Sequence, residues 1–283
     1  MAFALRALTF NAFHGYPLCA HLEKRLEILA RALAAEAPDL ALLQEVSVSK
    51  LYGHLPARLV DALKAEGLEY HLAYSPANGS IEGGGVFEEG SAVLSRWPIV
   101  EAEVRRLAAS YPVWREHHGY EYEEFRIALR ASVEIRPGIR IDVIATHITD
   151  AGPRDDTSPR ALQLADLARF VAERPHREHP AIIGGDFNAR PEDDEIASLR
   201  KRGFVDVCEG RDPGPTNDCN DRDLENPRDT ANQRIDYLFA AGGEIAVRDV
   251  RLFLHQAVEI EPGRFLWASD HSGIVADIEI QGP

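Results

Sequence analysis

Ala181-Ile182-Ile183-Gly184-Gly185-Asp186-Phe187-Asn188 runs from apolar residues through two glycines to a carboxylate and an amide. An isoleucine-rich run this short, bounded by turn residues, reads as a buried strand rather than a helix. The strand delivers Asp186 at its end, where the backbone turns and solvent or ligand can enter. If the chain stays extended, Asp186 and Asn188 fall on the same side. A carboxylate at the tip of a buried strand is costly unless a metal, a donor or water meets it. Many α/β proteins end a strand this way, so the pattern gains meaning only by recurring.

It recurs along the whole chain. Asn11 follows Thr9-Phe10, and Glu45 follows the apolar run 40–43. His147 follows 141–145, Asp236 sits between Ile235 and Tyr237-Leu238-Phe239, and Asp270-His271 precedes a final apolar run at 274–280. Between these tips the periodicity predicts helices over 21–36, 56–66, 159–173 and 192–202. The first carries Leu22, Leu26, Leu29 and Leu33 as one stripe, and Pro38 and Gly67 stop the first two. Strands are predicted at 3–10, 39–43, 70–74, 91–95, 205–207, 234–239, 247–253 and 274–280, with a hairpin of 127–133 and 139–145 turned by Pro137-Gly138. Residues 78–90, with five glycines and three glutamates, read as a mobile loop, and 212–233 as a long polar loop. The segment 110–125 is aromatic and contains His117 and His118; it reads either as a wall over a substrate or as an exposed hairpin. With no repeat and no Pro/Ser linker, residues 1–283 are expected to form one domain.

Composition narrows the partners. The chain has 31 basic and 46 acidic residues, a net charge of −15, with 45% apolar and 27% charged residues. An acidic protein repels polyanions at long range, so tight non-specific nucleic-acid binding is disfavoured. No apolar run approaches membrane-spanning length. Cys19, Cys208 and Cys219 form neither a CxxC nor a zinc spacing, and no role is assigned to them. With residues 1–8 too short and too soon interrupted for a signal peptide, a cytoplasmic protein is expected.

Taken one at a time, Asn11 reads as a turn or cap, Glu45 equally as a surface strand end or a ligand, and His147 and His271 as structural histidines. Asp236 is harder to dismiss, because an ionised carboxylate inside an apolar strand needs a specific partner. His14, His21, His54, His71, His176, His179 and His255 read as surface or packing residues. Together, the strand-tip residues supply what phosphoester hydrolysis requires: a water placed in line, and positive charge where the phosphoryl oxygens become negative. Glu45, with Asp270 or Asn11 near it, suits Mg²⁺, which takes one or two carboxylates and keeps its other positions for water and phosphate. Asp186 suits the orientation or deprotonation of the water. Asn188 and a histidine suit hydrogen bonding to the phosphate, and Asp236 suits pairing with His271.

Phe10-Asn11, Leu43-Gln44-Glu45-Val46, Thr146-His147, Gly185-Asp186-Phe187-Asn188, Arg234-Ile235-Asp236-Tyr237 and Ser269-Asp270-His271 stand in the order of the endonuclease/exonuclease/phosphatase superfamily, which the chain resembles from Phe10 to His271. Residues 91–99 also look like a segment of that superfamily. The resemblance implies a four-layer α/β sandwich, two mixed β-sheets face to face with helices outside, and a site at one end where strand tips converge. It implies that Glu45 with Asn11 binds Mg²⁺ or Mn²⁺ with Asp270 beside the metal. Asp186 and Asn188 would handle water and phosphate, Asp236 would pair with His271, and His147 would contact or protonate the phosphoryl group. Abasic-site endonucleases carry an aspartate where this chain has Phe13 and a tyrosine where it has His147. Both departures point toward the sphingomyelinase-like and deoxyribonuclease I-like members.

The leading expectation is a Mg²⁺-dependent phosphodiesterase or phosphatase acting on a small or lipid-derived phosphoester. The alternative within the same chemistry is a metal-dependent nuclease acting on DNA or RNA. A non-catalytic binding module on the same fold is the remaining class, and no expected catalytic position is vacant.

Overall fold

A computed structural model describes residues 3–15, 20–82, 85–115, 120–150, 158–217, 224–225 and 233–280. In chain order the elements are β1 (Phe3–Asn11), α1 (Leu22–Glu36), β2 (Leu40–Ser49), β3 (Gly53–His54), α2 (Leu55–Ala65), β4 (His71–Glu82), β5 (Gly85–Ser95), β6 (Ile99–Arg106), β7 (Tyr111–Arg115), β8 (Tyr120–Glu124) and β9 (Ile127–Arg136). They continue with β10 (Ile139–His147), α3 (Pro159–Ala172), β11 (Ala181–Asp186), α4 (Asp194–Lys201), β12 (Phe204–Asp206), β13 (Asp236–Ala241), β14 (Ile245–Phe253), β15 (Val258–Glu261), β16 (Arg264–Leu266) and β17 (Gly273–Ile280).

The strands form two mixed sheets. One has the order β14-β17-β1-β2-β5-β4, with β3 added on β2; the other is β12-β13-β11-β10-β9-β6. Each holds one parallel pair at its centre, β1 with β2 and β10 with β11. Period-2 alternation sorts the side chains into layers. Leu5, Ala7, Leu42, Val143, Ile182, Leu238 and Ile278 fill the space between the sheets. Leu8, Phe10 and Leu43 face the other way, onto Leu29 and Leu33 of α1 and Leu59 and Leu63 of α2. Ile144, Ile183 and Phe239 likewise face Leu167 and Phe170 of α3 and Ile196 of α4. The result is the four-layer sandwich expected from the sequence.

The two glycines of the opening stretch have separate reasons. A Cβ on Gly184 would meet Leu42, Leu238 and Thr9 at 3.1 Å, so its hydrogen keeps the two sheets close. A Cβ on Gly185 would lie 2.1 Å from the Thr146 carbonyl oxygen, which only a glycine allows.

Two helices start at side-chain caps not foreseen from the sequence, one of them His54, read there as a surface or packing residue. Ser158 Oγ accepts from the Ala161 N–H at 3.0 Å ahead of Pro159, and His54 Nδ1 accepts from the Ala57 N–H at 3.1 Å. Residues 78–90 depart from expectation. Rather than a loop, 78–82 and 85–90 belong to β4 and β5, which pair as far as Glu82 with Gly85. Crowding accounts for Gly90, where a Cβ would sit 2.1 Å from the Ser75 carbonyl oxygen. β6 and the β15–β16 hairpin were not foreseen, because their short, charge-interrupted runs carry little apolar signal. The aromatic segment pairs as a hairpin of β7 with β8. His117, His118, Cys19, Cys219 and most of 212–233 lie outside the described residues. Cys208 is a buried free thiol.

Candidate active site

Parity fixes which side chains meet. Asn11, His147, Asp186 and Asp236 continue the rows of β1, β10, β11 and β13 that fill the space between the sheets, and each stands at a strand end. Register places His147 beside Asp186 and Asp186 opposite Asp236. Glu45 would break this rule, since strict alternation would send it toward the helices with Ala41 and Leu43. Instead the pairing of β2 with β5 slips between Leu43 and Val46, and Glu45 adopts φ 53°. The bulge turns its carboxylate into the cluster.

Asn11 Nδ2 donates to Glu45 Oε1 at 3.0 Å and to Asp186 Oδ2 at 3.2 Å. Its Oδ1 accepts from the Phe13 N–H at 3.0 Å, which settles which end of the amide faces the carboxylates. The His14 N–H reaches Glu45 Oε2 at 3.2 Å and the His14 ring lies 3.5 Å from the same oxygen. Burial opposes ionisation of Glu45, yet His14 and the Asn11 amide hold its carboxyl down at about 2.

The chain does not stay extended after Asp186. The Asn188 N–H donates to Asp186 Oδ1 at 2.9 Å, and Asn188 turns into the left-handed region at φ 49°. Arg160, buried under this turn, holds the Asn188 carbonyl at 2.9 Å and pairs with Glu195 at 2.9 Å. Asn188 Nδ2 donates to the Ile148 carbonyl at 2.9 Å and lies 3.3 Å from His147 Nε2. Burial and the neighbouring Asp236 push the Asp186 carboxyl up to about 7.

His271 Nδ1 and Asp236 Oδ2 are 2.9 Å apart, and His271 Nε2 is 3.7 Å from Asp186 Oδ2. Burial disfavours the His271 imidazolium, but Asp236 and Asp186 hold its pKa well above the ordinary value. Thr216 Oγ1 accepts from the N–H groups of Ile235 and Asp236, fixing the start of β13. Ser269 donates to the Asn11 carbonyl at 2.6 Å and accepts from the His271 N–H at 3.1 Å, tying the two loops together. Burial raises the neighbouring Asp270 carboxyl.

All eight residues singled out in the sequence therefore gather at one end of the sandwich. His14, read from the sequence as surface or packing, is placed against Glu45. Arg126, whose Nη1 lies 3.1 Å from His147 Nδ1 and whose Nη2 pairs with Glu124, was not foreseen. A charge immediately before the apolar run of β9 was the available sign. Arg25 was also missed: from α1 its guanidinium holds the carbonyls of Ala12, Phe13 and Ala268, on both loops that border the site.

The donor set fits a divalent cation. Four carboxylates crowd together, and among the described residues Asp236 Oδ1 finds no hydrogen-bond partner. Among the described residues, ligand atoms of Asp186, Asp236 and His271 lie within 4.8 Å of one another. His271 is a poor ligand there, because Asp236 engages Nδ1 and favours the cationic ring. Glu45 and Asp270 offer hard carboxylate oxygens, the ligand type that Mg²⁺ or Mn²⁺ takes.

The sequence pattern of the Endonuclease/Exonuclease/phosphatase family matches residues 8–271. A Drosophila melanogaster protein named "Putative neutral sphingomyelinase" is 24% identical over 283 residues, covering 98% of this chain. The chain spans 61% of that relative's length. An endonuclease/exonuclease/phosphatase from Beutenbergia cavernae superposes with a TM-score of 0.70 at 23% identity, covering 99% of this chain and 72% of that one. The mannosyl-6-phosphatase Bt3783 of Bacteroides thetaiotaomicron gives 0.69 at 16% identity, covering 97% and 99%.

Proposed function

The chain belongs to the Endonuclease/Exonuclease/phosphatase family of metal-dependent phosphoester hydrolases, and we propose that it cleaves a small or lipid-derived phosphoester with Mg²⁺ or Mn²⁺. The observation that carries this reading is the convergence of Glu45, Asp186, Asn188, His147 and the Asp236–His271 pair at one end of the sandwich. Glu45 and Asp270 would hold the cation, with Asn11 tying Glu45 to Asp186. The bound ion supplies positive charge to the phosphoryl oxygens.

The remaining work falls to the side chains. Asp186, its carboxyl near neutrality, orients the attacking water and takes its proton. His271, kept as an imidazolium by Asp236, sets positive charge next to Asp186. Asn188 and His147 donate hydrogen bonds to the phosphoryl group as charge builds on it. Residues 1–283 act as one catalytic unit in this reading, since Asn11 and Asp270 come from opposite ends of the chain.

Charge favours a compact substrate over a polynucleotide. Among the described residues, the guanidiniums that reach the site and its bordering loops, Arg126 and Arg25, are buried and engaged by protein groups, whereas tracking a nucleic-acid backbone takes several accessible cations. The name of the Drosophila relative and that of the Bacteroides phosphatase agree with a small or lipid phosphoester. The test is a panel of sphingomyelin vesicles, sugar phosphates, bis(p-nitrophenyl) phosphate, single-stranded DNA and RNA, each with Mg²⁺, Mn²⁺ or EDTA. Glu45→Ala and His271→Ala should abolish turnover while leaving the fold intact. Full activity in both variants sinks the site assignment, and a preference for nucleic acid sinks the substrate class.

A further inference from the structure

Arg126 stands just before β9, 7% exposed, paired with Glu124 and with Nη1 at 3.1 Å from His147 Nδ1. A guanidinium carries five N–H donors and no acceptor. The contact is favourable only if Nδ1 offers its lone pair. A ring protonated at Nδ1, or at both nitrogens, would set hydrogen against hydrogen. What remains is the neutral ring with its proton on Nε2.

The other side of the ring gives the same answer. Nε2 lies 3.5 Å from Asp186 Oδ2, an acceptor, and 3.3 Å from Asn188 Nδ2. That atom is identified as the amide nitrogen by its donation to the Ile148 carbonyl at 2.9 Å. A ring accepting from Arg126 at one nitrogen and from Asn188 at the other would have to be an imidazolate. The charged donor takes precedence, so His147 Nε2 and Asn188 Nδ2 are two donors lying side by side.

We propose that Arg126 is a positioning residue that fixes His147 as the Nε2–H tautomer, so that His147 and Asn188 present paired N–H donors to one phosphoryl oxygen of the substrate. The identity of that acceptor rests on the hydrolase reading above; the tautomer follows from the contacts alone.

Long-range ¹H–¹⁵N correlation spectra of the labelled protein report the tautomer of each imidazole, and the His147 signals are those lost in His147→Gln. Wild type should show a protonated Nε2 and an unprotonated Nδ1. In Arg126→Met, Asn188 is free to donate at Nε2, so both tautomers should appear. There kcat should fall about tenfold to a hundredfold, with KM within about threefold. Arg126→Lys, which restores one cationic donor, should return the single tautomer and most of kcat. Adding Glu124→Gln to Arg126→Met removes the carboxylate left unpaired; it should restore folding if that was impaired, but neither the tautomer nor kcat. A wild-type His147 protonated at Nδ1, or an unchanged tautomer in Arg126→Met, overturns the inference. Because the spectra do not depend on turnover, the stated tautomer in a protein that hydrolyses no phosphoester overturns the hydrolase reading and the phosphoryl acceptor with it. The wrong tautomer in an active enzyme overturns only the role of Arg126.

Discussion

Replacing Asp186 by Asn should stabilise the metal-free protein at alkaline pH while abolishing its chemistry. Burial and Asp236 raise the Asp186 carboxyl from the usual 3.8 to about 7. Between those values the folded chain holds a proton that the unfolded chain has released. Stability from this group is therefore full below 3.8, falls as pH rises, and is gone above about 7. The roughly two units between pH 5 and 7 correspond to about 3 kcal/mol, at about 1.4 kcal/mol per unit. Asparagine cannot ionise and escapes that loss. It does weaken the hydrogen bonds from Asn11 Nδ2 and the Asn188 N–H, at about 1 kcal/mol, but it does so at every pH. The variant-minus-wild-type difference should thus grow by about 2–3 kcal/mol between pH 5 and pH 8. For 283 residues, each kcal/mol is worth roughly 2 °C in Tm, so the Tm difference should widen by about 4–6 °C. Thermal unfolding followed by circular dichroism in EDTA reads it directly. Added Mg²⁺ should raise the Tm of both proteins, because Glu45 and Asp270 are unchanged in the variant and a ligand that binds the folded state stabilises it. A Tm difference identical at both pH values, or one that moves against the variant, refutes the reasoning.

Two further outcomes follow from the fold. Gly185→Ala places a Cβ 2.1 Å from the Thr146 carbonyl oxygen, so β10 and β11 must part. The midpoint of urea unfolding should drop by the equivalent of about 3 kcal/mol, and an unchanged midpoint would show that the strands yield freely. Arg25→Met releases the carbonyls of Ala12, Phe13 and Ala268. Calorimetric Mn²⁺ affinity should fall about tenfold or more in a protein that remains folded; undiminished affinity would mean that the loops hold their places without the clamp.

The layers were legible because both helical and strand periodicities are clean here. Leu22, Leu26, Leu29 and Leu33 announce α1, and the apolar tracts ending in Asn11, His147 and Asp186 announce the buried strands. The pocket residues were legible only together: their recurrence at the ends of apolar strands, in the order of the family resemblance, singles them out, although most of them read as ordinary taken one at a time. What the sequence hid was geometry that breaks the period. Nothing local says that Gln44-Glu45 bulges, that Asn188 turns left-handed, or that Gly79 and Gly90 sit in paired strands. Arg126, Arg25 and His14 were hidden because their roles lie in contacts with residues distant in sequence. Each looks like an ordinary polar residue until the partner strand or loop is in place.

The hydrogen bond from Ser269 to the Asn11 carbonyl spans 258 positions of sequence. No fragment of this polypeptide can own half of the pocket in working order, since the first strand and the loop before the last must dock before either half has a wall. Closing so large a loop is slow and entropically expensive, so catalytic competence arrives late and all at once. An activity measurement during refolding is therefore also a clock for completion of the entire sandwich.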